Sequence, residues 1–152
     1  FEIAGFGDLL AGLIGLGYCM ARIDWSAVKL MHLLVVIASG LVIEWAIYMI
    51  VCCTAFWTLQ SDSLRGIVYV FFDQYIRFPV TIYNKAIQIV MTFVLPVAFI
   101  NFYPSYLFFA GKPEPPFADV FVYLSPLVAA LMAFLAYRVW TKAINAYKGA
   151  GT

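Results

Sequence analysis

The sequence predicts an all-α integral membrane protein with about four to five hydrophobic helices, one of them broken by prolines into a re-entrant element. Three observations predict it. Of 152 residues, 65% are apolar and only 11% charged, under half the charge of a soluble domain. A chain this apolar, with a mean hydropathy of +0.95, lacks the polar residues to cover a water-facing surface. The gaps between its few charges also have the length of bilayer spans, about 20 residues.

Residues 8–20 form the first hydrophobic segment, a short Gly-rich run between Asp8 and Arg22. Ala11 and Gly15 lie four apart and put small residues on one face, which predicts close helix packing. Residues 28–57 form the second, interrupted only by Glu44. Residues 64–78 are apolar and aromatic but carry Arg65, Asp73 and Arg77. That segment reads either as a short span or as an amphipathic helix in the interface. Asp73 and Arg77, four apart, can pair or simply form a polar face. Pro79 ends the segment.

Residues 86–110 contain no charge, but Pro96 and Pro104 interrupt them. Each proline removes a helical hydrogen bond, so a helix–break–helix element is expected, with Asn101 serving backbone groups that the breaks free. A polar, rigid loop, Lys112-Pro113-Glu114-Pro115-Pro116, follows. Residues 119–140 form the last span. Trp25, Trp57, Tyr83, Tyr103, Tyr106, Tyr123 and Trp140 sit near segment ends, as interfacial aromatic belts do. Strands are not expected, since an open sheet cannot exist in lipid and no alternating ten-residue segments point to a barrel. No repeat or internal boundary divides the chain, so residues 1–152 read as a single transmembrane domain.

Catalytic chemistry finds little footing. The single histidine, His32, stands at the polar end of a span, where solvation is its ordinary role. Cys19, Cys52 and Cys53 lie in apolar runs without metal-ligand spacing and read as free thiols. A net charge of +1 with no basic stripe argues against nucleic acid. The two Gly-x-Gly pairs complete no dinucleotide fingerprint. Glu44 is the anomaly: a carboxylate at mid-bilayer costs about 2.5–3.5 kcal/mol on insertion scales. Gly40 and Tyr48, one turn to either side, share its face. That face either lines a substrate path or holds Glu44 as a buried group that fixes helix packing.

Two stretches are distinctive: Arg77-Phe78-Pro79-Val80-Thr81-Ile82-Tyr83, and Leu95-Pro96-Val97-Ala98-Phe99-Ile100-Asn101-Phe102-Tyr103-Pro104 followed by Gly111. Together with Phe56-Trp57 and the Trp140, Tyr147, Gly149 tail they resemble the C-terminal half of a bacterial permease of the type-2 ABC exporter family. Phe78 stands where that family has tyrosine and Ser105 where it has alanine. Ala143, Asn145 and Lys148 replace a glycine, an arginine and a serine. The resemblance implies an export permease in the bacterial cytoplasmic membrane, surrounded by membrane lipid. It also implies a second permease chain and a separate ATP-binding subunit that holds ATP and Mg, with no cofactor in this chain. Pro79, Tyr83, Pro96, Asn101, Tyr103 and Pro104 would form a re-entrant or gate element. Such permeases have about six helices, so the first two and the helix that meets the ATPase are expected upstream of Phe1. A small scaffold subunit of a larger membrane complex is the alternative.

Basic residues Arg138, Lys142 and Lys148 put the C-terminal tail in the cytoplasm. Two arrangements then compete. In one, residues 64–78 span and 86–110 are re-entrant on the outer side. In the other, residues 64–78 lie on the cytoplasmic surface and 86–110 span. Charge counting disfavours the first, which leaves five of nine basic residues outside against three for the second. The paired prolines favour it. In both, residues 8–20 run outward and 28–57 inward.

Overall fold

The computed structural model describes residues 3–58, 66, 68–70, 72, 76, 78–109 and 115–149. All regular structure among them is helical. Two helices are long and apolar enough to cross a membrane, 27–57 and 125–145, and a third crossing is available if the bent pair 85–107 counts as one. Of the predicted fifth segment only scattered residues are described, so the Asp73–Arg77 pairing and most of residues 64–78 lie outside the described residues. The same holds for Lys112, Pro113 and Glu114 of the polar loop.

Helix α1 (Ile3–Met20) starts before Asp8. It closes with the amides of Ala21 and Arg22 bonding the carbonyls of Gly17 and Cys19. The Trp25 indole N–H donates to the Met20 carbonyl at 2.6 Å, satisfying one of the acceptors a helix end leaves free. Its side chains from Leu9 to Tyr18 are exposed. Among the described residues the close packing expected at Ala11 and Gly15 is not made: a Cβ placed on Gly15, or on Gly12 or Gly17, would meet nothing within 4 Å.

Helix α2 (Ala27–Cys53) begins at Ser26, whose hydroxyl accepts from the Lys29 amide at 3.2 Å, an N-cap in the usual geometry. It breaks at Thr54. The Thr54 hydroxyl donates to the Val51 carbonyl at 2.6 Å, and the short helix α3 (Ala55–Thr58) follows. The predicted single span is thus one long helix with a one-residue interruption near its end.

The final helix, α5 (Ser125–Gly149), corrects the predicted span at both ends. Residues Asp119–Tyr123 form a 3-10 turn instead. Pro126, at the helix's second residue, sits where a missing N–H costs nothing. At the other end polar residues from Thr141 onward continue the helix, because hydropathy marks where a membrane ends and not where a helix must.

Helices α2 and α5 form the main packed pair. The buried α2 residues Ser39, Ile43, Ala46 and Cys53 follow a four–three alternation. Ala129, Met132, Ala136 and Ala143 of α5 are buried with the matching spacing. This is a heptad seam with small residues at every seventh place, which lets helix backbones approach in lipid. Ala143 is fully buried where the permease family was expected to have glycine. The two helices run parallel. Their starts meet where Met31 and His32 line a cavity with Ser125 and Pro126, and α3, beyond the end of α2, packs on α5. The opposite faces, with Leu30, Leu34, Leu41 and Trp45 on α2 and Leu127, Leu131 and Phe134 on α5, are exposed and apolar, as surfaces that meet lipid are.

Candidate functional site

The proline-rich stretch folds as two limbs. The first is α4 (Lys85–Ile89) continued by a π-helical turn, Val90–Val94. The second contains two 3-10 turns, Val97–Phe99 and Pro104–Leu107. The axes bend by 76° at the break. Asn84 caps the first limb, its side-chain oxygen accepting from the Ile87 amide at 3.0 Å. Pro96 is buried at the break itself, where it cannot donate to the first limb and so ends it.

The element packs about the start of the α2–α5 pair. Lys85, where the first limb starts, reaches the Phe117 ring, 5.8 Å away, just before the turn that leads into α5. Leu107, where the second limb ends, lines the cavity with Met31, His32 and Tyr123. The break lies deeper. A Cβ on Gly40 would stand 3.1 Å from Ile100 Cγ2, so glycine there lets α2 touch the break. Gly40 is thirteen residues past Ala27, about 20 Å along the helix at about 1.5 Å per residue.

Breaking a helix frees carbonyls, and in hydrocarbon each free one is costly. Side chains from three places serve them. Ser125 Oγ donates to the Phe99 carbonyl at 2.8 Å. Asn101 Nδ2 donates to the Ile76 carbonyl at 2.9 Å. Gln88 Nε2 donates to the Tyr83 carbonyl at 2.8 Å. This corrects the expectation for Asn101: its side chain serves a carbonyl just ahead of Pro79, not one freed between Pro96 and Pro104.

Tyr103 corrects an expectation. It is not a belt residue but is fully buried. Its hydroxyl and that of Thr92 lie 3.1 Å apart, tying the second limb to the first. Rings of Phe99, Phe102 and Phe121 surround it, with centroids 4.9 to 5.5 Å away. Pro104 is buried beside it, whereas Pro79 is exposed and opens the turn Val80–Ile82, and Tyr83 is half-buried. The other belt residues Trp25, Trp57, Tyr123 and Trp140 are exposed.

Glu44 is half-buried, one turn beyond the contact of Gly40 with Ile100. One turn further, the Tyr48 ring stacks on Phe72 at 5.3 Å. The predicted trio therefore lies along one strip of α2, between the break and Phe72. Among the described residues Glu44 makes no hydrogen bond or ion pair. It lines neither of two described cavities. One, about 230 Å³, lies at His32. The other, about 220 Å³, lies between α1, α2 and the second limb. His32 hydrogen-bonds the Val28 carbonyl through Nδ1 at 3.0 Å, a local contact. All three cysteines are free thiols. Among the described residues no cluster of three potential metal ligands occurs.

Sequence reasoning missed Ser125 and the Ala129, Ala136, Ala143 seam. The seam had a signal, three alanines at intervals of seven. Ser125 had none, because its partner lies 26 residues away.

Comparison with known proteins gives one finding. The family described as ABC-2 family transporter protein matches residues 1–151. No curated protein matches the chain, and no solved structure does.

Proposed function

The chain belongs to the ABC-2 family of transporter proteins, and from that premise we propose that it is the permease part of an ATP-driven exporter in which residues 85–107 form a plug. A membrane transport component of this family is not itself the catalyst of ATP hydrolysis. In the proposed assembly a separate ATP-binding subunit holds ATP and Mg, and a second permease chain completes the pathway across a bacterial cytoplasmic membrane.

The observation that carries this reading is the placement of the broken element. Its second limb ends beside His32 at the start of α2, and its break reaches Gly40, near the middle of the 27–57 span. Parallel α2 and α5 require an odd number of crossings between them. One crossing by residues 64–78, with the plug entering and leaving on one side, meets that requirement. The Tyr48–Phe72 contact near the end of α2 and the Asn101–Ile76 bond beside the break support a chain that climbs through these residues. Each limb alone falls short of the roughly 20 residues a span needs.

A single cysteine at Lys85, in a cysteine-free background, tests the topology. An impermeant thiol reagent is expected to label it from outside. Labelling only from the cytoplasm overturns the re-entrant plug.

Glu44 lies one turn past the plug's tip and is proposed to face the pathway that the plug closes. Glu44→Gln is then expected to change transport severalfold at unchanged protein abundance. Lower abundance with normal transport per molecule would assign Glu44 to helix packing instead. Copurification with an ATP-binding subunit separates the exporter from a scaffold subunit, which would need none.

A further inference from the structure

A crevice of about 220 Å³ lies between the end of α1, the first half of α2 and the second limb. Its walls are Leu16, Met20, Leu33, Val36, Ile100 and Phe108, with Asn101 and Ser105 as its polar members. Asn101 Nδ2 and the Ser105 hydroxyl already donate to carbonyls of this chain. An enclosed apolar space of about 150 Å³ is dry and takes up benzene, so a larger apolar crevice open to the bilayer favours a hydrocarbon chain over water.

The mouth has its own chemistry. Trp25 lines it, its ring 6.4 Å from Phe108. Trp25 is held by its bond to Met20, as a tryptophan at headgroup depth would be. Arg22 lies in the turn between the lining residues Met20 and Ile23, its guanidinium over the Tyr18 ring at 4.7 Å. Lys29 Nζ bonds the Asp24 carbonyl at 2.9 Å, a neutral acceptor. Neither cation has a carboxylate partner among the described residues. Both cations are thus tied to the 20–25 turn, whose Met20, Ile23 and Trp25 line the crevice, a pairing of charge and apolar slot that suits a phosphate and an acyl chain.

We propose that this crevice is a binding site for a single anionic phospholipid of the surrounding membrane, one acyl chain lying between α1, α2 and the second limb and the headgroup phosphate held by Arg22 and Lys29. The site wedges lipid between α1, which makes little contact with the other described residues, and the element beside Gly40. It is separate from any transported substrate and does not depend on the exporter reading.

Fluorescence quenching tests it without ATP or transport. The full-length protein keeps Trp25 alone, through Trp45→Phe, Trp57→Phe and Trp140→Phe (and Phe at any tryptophan outside these residues). It is placed in vesicles with phospholipids brominated on the acyl chain. Quenching by brominated phosphatidylglycerol is expected to saturate, at a lipid fraction roughly thirtyfold below that for brominated phosphatidylcholine, from two basic groups at the surface. Arg22→Gln with Lys29→Gln is expected to equalise the two lipids, and Leu33→Phe, which fills the crevice, to remove the saturable part. Quenching that rises linearly and equally with both lipids in the unmodified crevice means ordinary boundary lipid and overturns the proposal. Absence of quenching means that another protein segment or a substrate fills the crevice, and overturns it too.

Discussion

The α2–α5 pair and the broken element solve one problem in two ways. Both must hide backbone polar groups in hydrocarbon. The straight helices do it locally, each N–H bonding a carbonyl four residues back, so the pair needs only close surfaces. Its seam is accordingly small and apolar, with Ala46, Ala129, Ala136 and Ala143 buried in it. The broken element cannot do this. Carbonyls in it and just ahead of it, at Phe99, Tyr83 and Ile76, depend on Ser125, Gln88 and Asn101. A straight pair is therefore sensitive to volume, while a broken element is sensitive to the loss of donors and of the side chains that hold its limbs together.

The largest expected effect tests the second half of that contrast. Tyr103→Ala empties the space among Phe99, Phe102 and Phe121 and removes the bond to Thr92. It is expected to cost about 3–5 kcal/mol, as large aromatic truncations do, and to lower the midpoint of thermal unfolding in detergent most of all. Ala136→Leu tests the first half. A fully buried alanine has no room for three more carbons, and overpacking costs about 1–3 kcal/mol. If unfolding midpoints of Ala136→Leu and of the wild type coincide, the seam is not close-packed. Ser125→Ala leaves the Phe99 carbonyl without its donor and is expected to cost about 1–3 kcal/mol, with Ser125→Thr retaining most of the stability. An unchanged midpoint for Ser125→Ala would show that the break does not depend on α5.

The same contrast explains what was legible in the sequence. Sparse charges outlined the two long spans, because a charge in hydrocarbon is expensive wherever it falls. Pro96 gave the break, because a proline acts on its own backbone. Element ends were less legible. Apolar Val120 and Phe121 extended the last span's pattern backward, yet the helix waits for Ser125 and Pro126. Helix contacts were least legible. In lipid both partners of a seam are apolar, so hydropathy does not separate a face that meets a helix from one that meets a lipid tail. Ala11 and Gly15 thus looked like a packing face and are open, whereas Gly40, read beside Glu44, makes the close approach to Ile100. The polar contacts at the break were invisible for another reason: Asn101 and Ser125 reach 25 and 26 residues along the chain.

The parallel course of α2 and α5 bears on how the protein is made. Antiparallel neighbours can enter a membrane as a hairpin, one soon after the other. Here residues 54–124 separate the two helices, and at about 5–20 residues per second their synthesis takes roughly 4–14 s. Throughout that interval α2 stands in the bilayer with its seam face, Ser39, Ile43 and Ala46, not yet covered by α5. A nascent chain halted before Ser125 would present that unfinished face to whatever quality-control protease patrols the membrane, which makes the last helix the step that commits the molecule to survival.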